Sequence, residues 1–398
     1  MTTSSNPFYG CLCLETFSNA ATPLPPIGSR QQASPPIPLP EIHFNIWEEN
    51  SKDAFLDIGL MVSISDPAEC IEIFLPWAVQ KADIEDLSPR LLVHNGISAI
   101  FNEAWASSTA PNVLGGLVTR TDGSVFAVVP YDKPVISQRS HNLGTLYSIV
   151  LQLGSLRTAA IAPGGTKVPD QMYVRFRVKR VPPNFYRVGF DQGDALGGGA
   201  LTRTEIIDFR LNVRRGVPVG IEQFLTGRFL EFSKVQLFLM KSRSQDIVFE
   251  DKLFRACRSL EDEAYWAEYI LPIRPSEKAL KKSLQHVKGS LGYQWKKTPD
   301  SAQFVVSEFG MLARFKSFHM RKRTALLFLV VALFVGVTGN SVYDLVIKAH
   351  VVDLILSPKD EAHMADVAEQ LQPVGHSRAP PKVGLQSKLL NSGKEAQR

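Results

Sequence analysis

One apolar stretch near the end of the sequence constrains the fold more than any other feature. Residues 324–343 contain no charged side chain, and twenty helical residues at 1.5 Å each cover about 30 Å, the thickness of the hydrocarbon core of a bilayer. Arg321, Lys322 and Arg323 stand immediately before this stretch. A basic cluster beside an apolar run is typical of a membrane span. We therefore expect one transmembrane helix over 324–343.

A buried core helix is the competing interpretation of the same stretch. Its strongly apolar part, 325–337, has thirteen residues, and apolar segments of about 10–14 residues are more often core or interfacial helices. The polar residues at 338, 340 and 341 weaken the far end. The basic cluster favours the span, because a core helix does not need one.

The distribution of basic residues predicts an orientation for this span. Five Lys or Arg lie in 304–323 and two lie in 344–363, and the more basic flank stays in the cytoplasm. No apolar signal-peptide core opens the sequence. We expect a single-pass protein of the cell membrane (the inner membrane in a bacterium), with the N-terminal bulk in the cytoplasm and the C-terminus outside.

The positive charge of the chain is unevenly placed. The formal net charge is +5, yet 275–323 alone holds eleven basic and three acidic residues. Cations close to an anionic leaflet contribute on the order of 1 kcal/mol each. This block predicts a lipid bilayer as partner and makes nucleic acid an unlikely one.

The part before this block is predicted to be mainly β, as an antiparallel sandwich or open barrel. Residues 1–40 hold seven prolines between 23 and 40 and are expected to be a disordered tail. In 41–250, short runs of β-branched and aromatic residues alternate with turn residues. One such turn, 120–124, carries Gly123 at the position that tolerates positive φ.

Two strands in this region carry basic residues at alternate positions, on the side opposite their apolar residues. They are 173–180 and 207–214. If these strands pair, one sheet face would hold five cations suited to a phosphate-bearing ligand, because Arg donates two parallel hydrogen bonds to phosphate oxygens: Arg175, Arg177, Lys179, Arg210 and Arg214. A solvated outer face is the alternative.

Residues 251–323 are predicted to form a basic, α-helical juxtamembrane segment. Apolar residues recur at helical spacing in 251–270, 275–291 and 305–319, and Cys257 would be a small core residue on the first helix. Within 324–343, Ala332, Gly336 and Asn340 lie four apart, a spacing that favours helix–helix packing and a homo-oligomer. Residues 344–398 are expected to be an exported amphipathic helix followed by a polar tail.

Function is less constrained than architecture. The sequence contains no catalytic signature, and its four cysteines and eight histidines form no metal-binding motif, so neither a cofactor nor a metal is expected. We expect a membrane-anchored binding or sensing protein whose β-rich domain recognises a cytoplasmic protein or small ligand. One alternative is an effector whose ligand-driven oligomerisation perturbs the bilayer; its layout resembles that of membrane effectors in bacterial antiphage systems. The other is a membrane-bound hydrolase.

Overall fold

The computed structural model describes residues 10–17, 37–50, 53–93, 96–101, 105–108, 115–161, 168–190, 202–225, 227–271, 275–300, 304–318, 322–342, 347–348 and 350–351. The chain divides into two compact units, residues 1–321 and 322–398. The protein is mainly β. All of the described strands belong to the first unit.

The strands of the first unit form three sheets. The five-stranded sheet has the order β14-β1-β4-β10-β9, and the four-stranded sheet has the order β12-β13-β19-β16. The ten-stranded sheet has the order β17-β18-β15-β2-β3-β11-β8-β7-β6, with β5 also paired to β11. Neighbours are antiparallel except for β15 with β2 and β11 with β8. The strands are β1 (Leu12–Thr16), β2 (Glu41–Asn50), β3 (Asp53–Ser63), β4 (Cys70–Leu75), β5 (Ile84–Asp86), β6 (Trp105–Ser108), β7 (Gly116–Arg120), β8 (Val125–Val129), β9 (Val135–His141), β10 (Gly144–Gln152), β11 (Gln171–Val181), β12 (Arg187–Phe190), β13 (Thr202–Leu211), β14 (Arg228–Phe229), β15 (Lys234–Ser242), β16 (Gln245–Glu250), β17 (Phe254–Ser259), β18 (Ser290–Lys297) and β19 (Phe309–Phe318).

Both faces of the ten-stranded sheet are covered. On one face, Phe44 and Val174 share a core with Ile73 of the five-stranded sheet and Phe209 of the four-stranded sheet. The other face packs against short helices in a second core. The helices of this unit are α1 (Ser88–Leu91), α2 (Gly96–Phe101), α3 (Leu153–Ile161), α4 (Val219–Phe224), α5 (Glu263–Ile270) and α6 (Glu277–Lys288).

The predicted disordered tail, 1–40, contains an interior strand. β1 lies between β4 and β14, and Cys11, Leu12 and Cys13 are fully buried. No proline lies within 10–17, and these residues contain a short apolar run of their own. The proline content of the surrounding residues therefore did not predict this strand. Most of the proline-rich part, 18–36, lies outside the described residues.

The predicted helical segment, 251–323, contains strands as well as helices. Its first predicted helix, 251–270, divides into β17 and α5, because Asp262 adopts a left-handed conformation with φ 53° and begins α5 as its N-cap. Cys257 is therefore an exposed residue of β17 and not a core residue. The second predicted helix is present as α6, where the Ser276 side chain accepts a hydrogen bond from the backbone N of Ala279. The third, 305–319, is instead β19, an alternating strand.

The second unit contains α7 (Lys322–Val342). In this helix, Ala332 and Gly336 are exposed. Arg321 and the side chain of Asn340 lie outside the described residues. The Thr338 hydroxyl donates a hydrogen bond to the carbonyl oxygen of Phe334, four residues earlier in the same helix. Of the predicted amphipathic helix and tail, 344–398, only 347–348 and 350–351 are described.

The prediction of a membrane span is not supported by this unit. No helix in the described parts of the chain is both long enough and apolar enough to cross a bilayer. This finding contradicts the predicted span over 324–343 and the single-pass topology that depended on it.

Candidate ligand-binding site

The two strands predicted to form a basic face lie in different sheets. β11 is in the ten-stranded sheet and β13 is in the four-stranded sheet, and Arg214 lies beyond the end of β13. The five cations therefore do not share a face. Lys179 pairs with Glu85 at 2.7 Å. The side chain of Arg210 pairs with Asp208 of its own strand, and Arg214 pairs with Glu222 at 3.1 Å. Arg175 and Arg177 are buried.

The alternation predicted for β11 is present, but its basic side is not exposed. Val174, Phe176 and Val178 face the core shared by the three sheets. The opposite side, with Arg175 and Arg177, faces the helical layer instead of solvent. Both the predicted phosphate-binding face and its alternative, a solvated outer face, require these residues to be exposed, and α5 covers that face.

Asp57 is the centre of the buried ion pairs under α5. Its Oδ1 accepts a hydrogen bond from Nε of Arg177 at 2.7 Å, and its Oδ2 accepts from Nε1 of Trp47 at 2.9 Å and from the hydroxyl of Tyr269 at 2.9 Å. Nε of Arg175 donates to the same Tyr269 hydroxyl at 2.8 Å. Arg175 and Asp57 are fully buried and Arg177 is 2% exposed. A buried carboxylate with this many donors is satisfied, which is what makes its burial tolerable. We call these five residues the Asp57 network.

Two arginines fix the C-terminal end of α5. Nη1 of Arg177 donates to the carbonyl oxygen of Ile270 at 3.0 Å, and Nη1 of Arg90 donates to the carbonyl oxygen of Glu268 at 3.1 Å. The last carbonyls of a helix have no partner within the helix and carry partial negative charge. The basic side of β11 therefore compensates the end of a helix as well as a carboxylate.

Because Gly59 has no side chain, it leaves space for the polar side chains of the Asp57 network. It lies directly opposite Arg175 in the sheet. A Cβ at Gly59 would lie 2.1 Å from the Tyr173 hydroxyl oxygen and 3.0 Å from Nη1 of Arg175. Nη1 of Arg175 donates to that hydroxyl at 3.0 Å. Any side chain at 59 would therefore displace the polar contacts of β11.

His43 borders the network and is held neutral by its surroundings. Its Nδ1 lies 3.4 Å from the Tyr173 hydroxyl, and its Nε2 lies 3.7 Å from a Glu41 carboxylate oxygen. Burial lowers the pKa of His43 to about 4, with Lys234 and Arg175 adding to the decrease against the opposing effect of Glu41. Burial raises the pKa of Glu41, but its contacts with His43 and Lys234 outweigh that effect and bring it to about 2.

A single row of cross-strand pairs connects the Asp57 network to a pocket. Asn45 lies opposite Asp57 on one side and opposite Phe238 on the other, and Asp57 lies opposite Arg177. Residues that are directly opposite in neighbouring strands point to the same face. Asn45 is 3% exposed and forms the floor of the pocket.

The pocket lies between this floor and the helices α2 and α5. Its cavity volume is about 10 Å³, which is room for about one water molecule. This volume is far below the 300–1,000 Å³ of a typical small-molecule site, so a ligand larger than water requires the lining side chains to move apart. It is lined by Asn45, Ala99, Ile100, Phe238, Met240, Arg258, Leu260, Trp266 and Gly292.

Arg258 is the charged residue of the pocket lining. Its guanidinium lies over the ring of Phe238, 5.7 Å from the ring centre. Partial burial lowers its pKa, and the nearby Glu261 carboxylate opposes this decrease. The pocket therefore combines apolar walls, one neutral amide and one cation that is partly withdrawn from water.

Sequence reasoning missed this site because its polar residues resemble an exposed strand face. His43 and Asn45 alternate with apolar residues on β2, as Asp57 and Gly59 do on β3, and half-exposed antiparallel strands show the same pattern. The usable signal was the aromatic content of α5, where Tyr265, Trp266 and Tyr269 occur within five residues. Three aromatic side chains in so short a helix indicate that the helix packs against a large buried surface.

Within the described ranges, no three His, Cys, Asp or Glu side chains are grouped so that they could hold a metal ion. The sequence matches no protein-family model and no curated protein. The arrangement of the site is therefore the basis for assigning a function.

Proposed function

We propose that this chain is a recognition protein: a small ligand opens the pocket above Asn45 (the Asn45 pocket) by moving its lining side chains, and the protein responds through α5. The observation that carries the proposal is that one short helix forms part of both structures. Trp266 of α5 lines the pocket, and Tyr269 of the same helix donates a hydrogen bond to Asp57. A ligand that touches Trp266 would therefore act on the element that closes the Asp57 network.

The lining of the pocket supports binding. Most small-molecule sites are apolar cavities with a few polar groups that fix orientation, and here those groups are Asn45 and Arg258. Met240 adds adaptability, because its unbranched thioether can adjust to different shapes. His43, the nearest histidine along β2, is buried against Tyr173 and Phe101, outside the pocket lining.

Aromatic packing supports the response. The ring centres of Trp266 and Trp47 lie 5.4 Å apart, and those of Trp47 and Tyr269 lie 5.8 Å apart. Nε1 of Trp47 donates to Asp57. A shift of Trp266 on binding would reach Asp57 through Trp47 as well as through the backbone of α5. This route is a hypothesis about coupling and requires a coupling measurement.

Ligand-observed NMR with the full chain tests the proposal. The probes are neutral and charged fragments of about ten non-hydrogen atoms, which enter only if the lining side chains move apart. We expect a subset to bind and to change the fluorescence of Trp266, and the Trp266→Phe variant identifies that signal among the five tryptophans.

A filled pocket provides the decisive comparison. A Cβ at Gly292 would lie 3.3 Å from Sδ of Met240 and 3.5 Å from Cδ2 of Leu260, so Gly292→Val fills the pocket and should abolish fragment binding. Gly310→Val is the matched control, because Gly310 is also a strand glycine and a Cβ there meets nothing within 4 Å. If folded Gly292→Val binds the same fragments as the wild type, the pocket is not the binding site.

A further inference from the structure

We propose that the chain forms a homodimer in which strand β9 of one protomer pairs with β9 of its partner. The five-stranded sheets of the two protomers then continue into each other across a two-fold axis. This interface does not depend on the proposed function, because it involves the open edge of the five-stranded sheet and not the Asn45 pocket.

β9 ends the order of its sheet and lacks the features that usually protect a sheet edge. Proteins keep edge strands from pairing with other chains by making them short, bulged or charged. Among the described strands, β5, β6, β12 and β14 have at most four residues, and β16 and β17 contain bulges. β9 has seven residues and pairs with β10 in one unbroken register. Its other side is therefore suited to a further strand.

Three residues of β9 direct their backbone groups away from β10. The backbone N of Val135 donates to the Tyr131 hydroxyl at 3.2 Å, and this hydroxyl donates to a carbonyl oxygen of β10 at 2.9 Å. Val135 therefore faces β10, and so does every second residue after it, because hydrogen bonding alternates along an antiparallel strand. The N–H and C=O groups of Ile136, Gln138 and Ser140 consequently point outward from the sheet edge.

The charged side chain of β9 is turned away from this edge. The strand contains one Arg, Arg139, and no Lys, Asp or Glu. Nη2 of Arg139 lies 2.5 Å from a carboxylate oxygen of Glu72 on β4, on the far side of β10. The Arg139 guanidinium also lies 5.4 Å from the ring centre of Phe74 on the same strand. A second strand at the edge would therefore meet no uncompensated charge from β9.

The positions of the outward groups favour a second copy in one register. If Gln138 lies opposite the partner's Gln138 in an antiparallel pair, Ile136 lies opposite the partner's Ser140. All three outward residues of each strand are then paired, which gives about six backbone hydrogen bonds. A shift of two residues leaves Ile136 or Ser140 without a partner on β9. Gln138 is exposed, and its amide both donates and accepts, so the two copies of Gln138 can bond to each other.

Opposite charges at position 138 test both the edge and the register. Sedimentation velocity of the full chain should show a dimer whose fraction increases with protein concentration. Gln138→Lys places two like charges opposite each other and should weaken the dimer about tenfold or more, and Gln138→Glu should do the same. An equimolar mixture of the two variants should restore dimers, because a Lys then faces a Glu. Gln245→Lys, on the bulged edge strand β16, is the matched control and should leave the dimer unchanged.

Hydrogen–deuterium exchange of the peptide that contains β9 identifies the strand. Its amides should exchange rapidly in dilute protein and more slowly as the dimer forms. A chain that stays monomeric at every concentration would overturn the proposal, as would a dimer that Gln138→Lys does not weaken. Mixed variants that fail to associate would refute the pairing of Gln138 with its own copy. Slow exchange of Ile136, Gln138 and Ser140 in the monomer would show that another segment of the same chain covers the edge, which also contradicts the proposed dimer.

Discussion

Asp57 and Arg177 lie directly opposite one another on β3 and β11, and Nε of Arg177 donates to Oδ1 of Asp57 over 2.7 Å with both side chains closed off from solvent. The guanidinium also lies over the ring of Phe55, 4.0 Å from its centre. An ion pair in such a position is costly to desolvate but still more costly to break.

Asp57→Ala should be severely destabilising. The substitution leaves Arg175 and Arg177 buried without their carboxylate, and breaking a buried pair costs about 3–5 kcal/mol. Urea denaturation of the first unit measures the free energy of unfolding.

Two variants qualify this result. Asp208→Ala removes the partly exposed partner of Arg210 and should cost less than about 1 kcal/mol. In the double variant Asp57→Ala/Arg177→Met, the total cost should be smaller than the sum of the two single costs, because one unpaired charge is removed. Additive costs would show that Asp57 and Arg177 are not coupled.

Gly59→Ala should destabilise the protein by disturbing β11. The added Cβ would lie 2.1 Å from the Tyr173 hydroxyl oxygen, so Tyr173 and Arg175 must move, and overpacking of this kind costs about 1–3 kcal/mol. Thermal denaturation measures the effect. Tyr173→Leu in the same chain should recover part of the lost stability, whereas Gly310→Ala, with no neighbour within 4 Å of the new Cβ, should be close to neutral. A neutral Gly59→Ala would refute the proposed role of this glycine.

Stability should fall as the pH decreases from 6.5 to about 4 because of His43. Burial lowers its pKa from the ordinary 6.5 to about 4, so in this window the unfolded chain binds a proton that the folded protein does not. The free energy of unfolding therefore has its full value above pH 6.5 and decreases by on the order of 3 kcal/mol towards pH 4. Below pH 4.5, protonation of Glu41 in the unfolded chain adds a second decrease, because its pKa in the folded protein is lowered to about 2.

Urea denaturation at a series of pH values measures this dependence. His43→Gln should flatten the profile between pH 6.5 and 4.5, and His141→Gln, at a partly exposed position, should leave it unchanged. A His43→Gln profile identical to that of the wild type would assign the pH dependence to other groups.

Asn212 should be required to hold the N-terminal strand in place. Its Oδ1 accepts from the backbone N of Cys13 at 2.7 Å, its Nδ2 donates to the carbonyl oxygen of Leu230 at 3.0 Å, and its φ is 56°. Asn212→Gly keeps the left-handed conformation but loses both side-chain bonds, so hydrogen exchange in β1 should accelerate. Asn212→Ala should accelerate it further, because the left-handed conformation costs Ala about 1–2 kcal/mol more. Unchanged exchange in both variants would show that β1 is held by its backbone pairs alone.

Local patterns in the sequence predicted individual helices, strands and turns better than they predicted which strands pair. The hairpin at 120–124 is confirmed: β7 pairs with β8, and Gly123 has φ +85°. α6 follows from its Ser276 cap and its apolar stripe. The pairing of β11 and β13 was wrong, because alternation specifies which residues share a face of one strand but not which strand lies beside it.

Two further errors have different physical origins. Phe309, Met311, Ala313 and Phe315 are buried while Gly310, Leu312 and Arg314 are exposed, so β19 has a period of two; a helical stripe was read from a subset of its apolar residues. The pocket beside Asn45 was missed because it depends on which helix covers the ten-stranded sheet. That coverage is a tertiary property, and a polar residue such as Asn45 has the same local pattern whether a helix or water lies above it.

The interior position of β1 has a consequence for the nascent chain. Leu14 pairs with Phe229, so the ribosome must add most of the first unit before this strand meets one of its two neighbours. Until then the apolar residues of β1 cannot be fully buried, because one of the neighbouring strands is missing. Contacts between such distant positions also form slowly. Production of this protein should therefore depend on chaperones that shield the segment during translation.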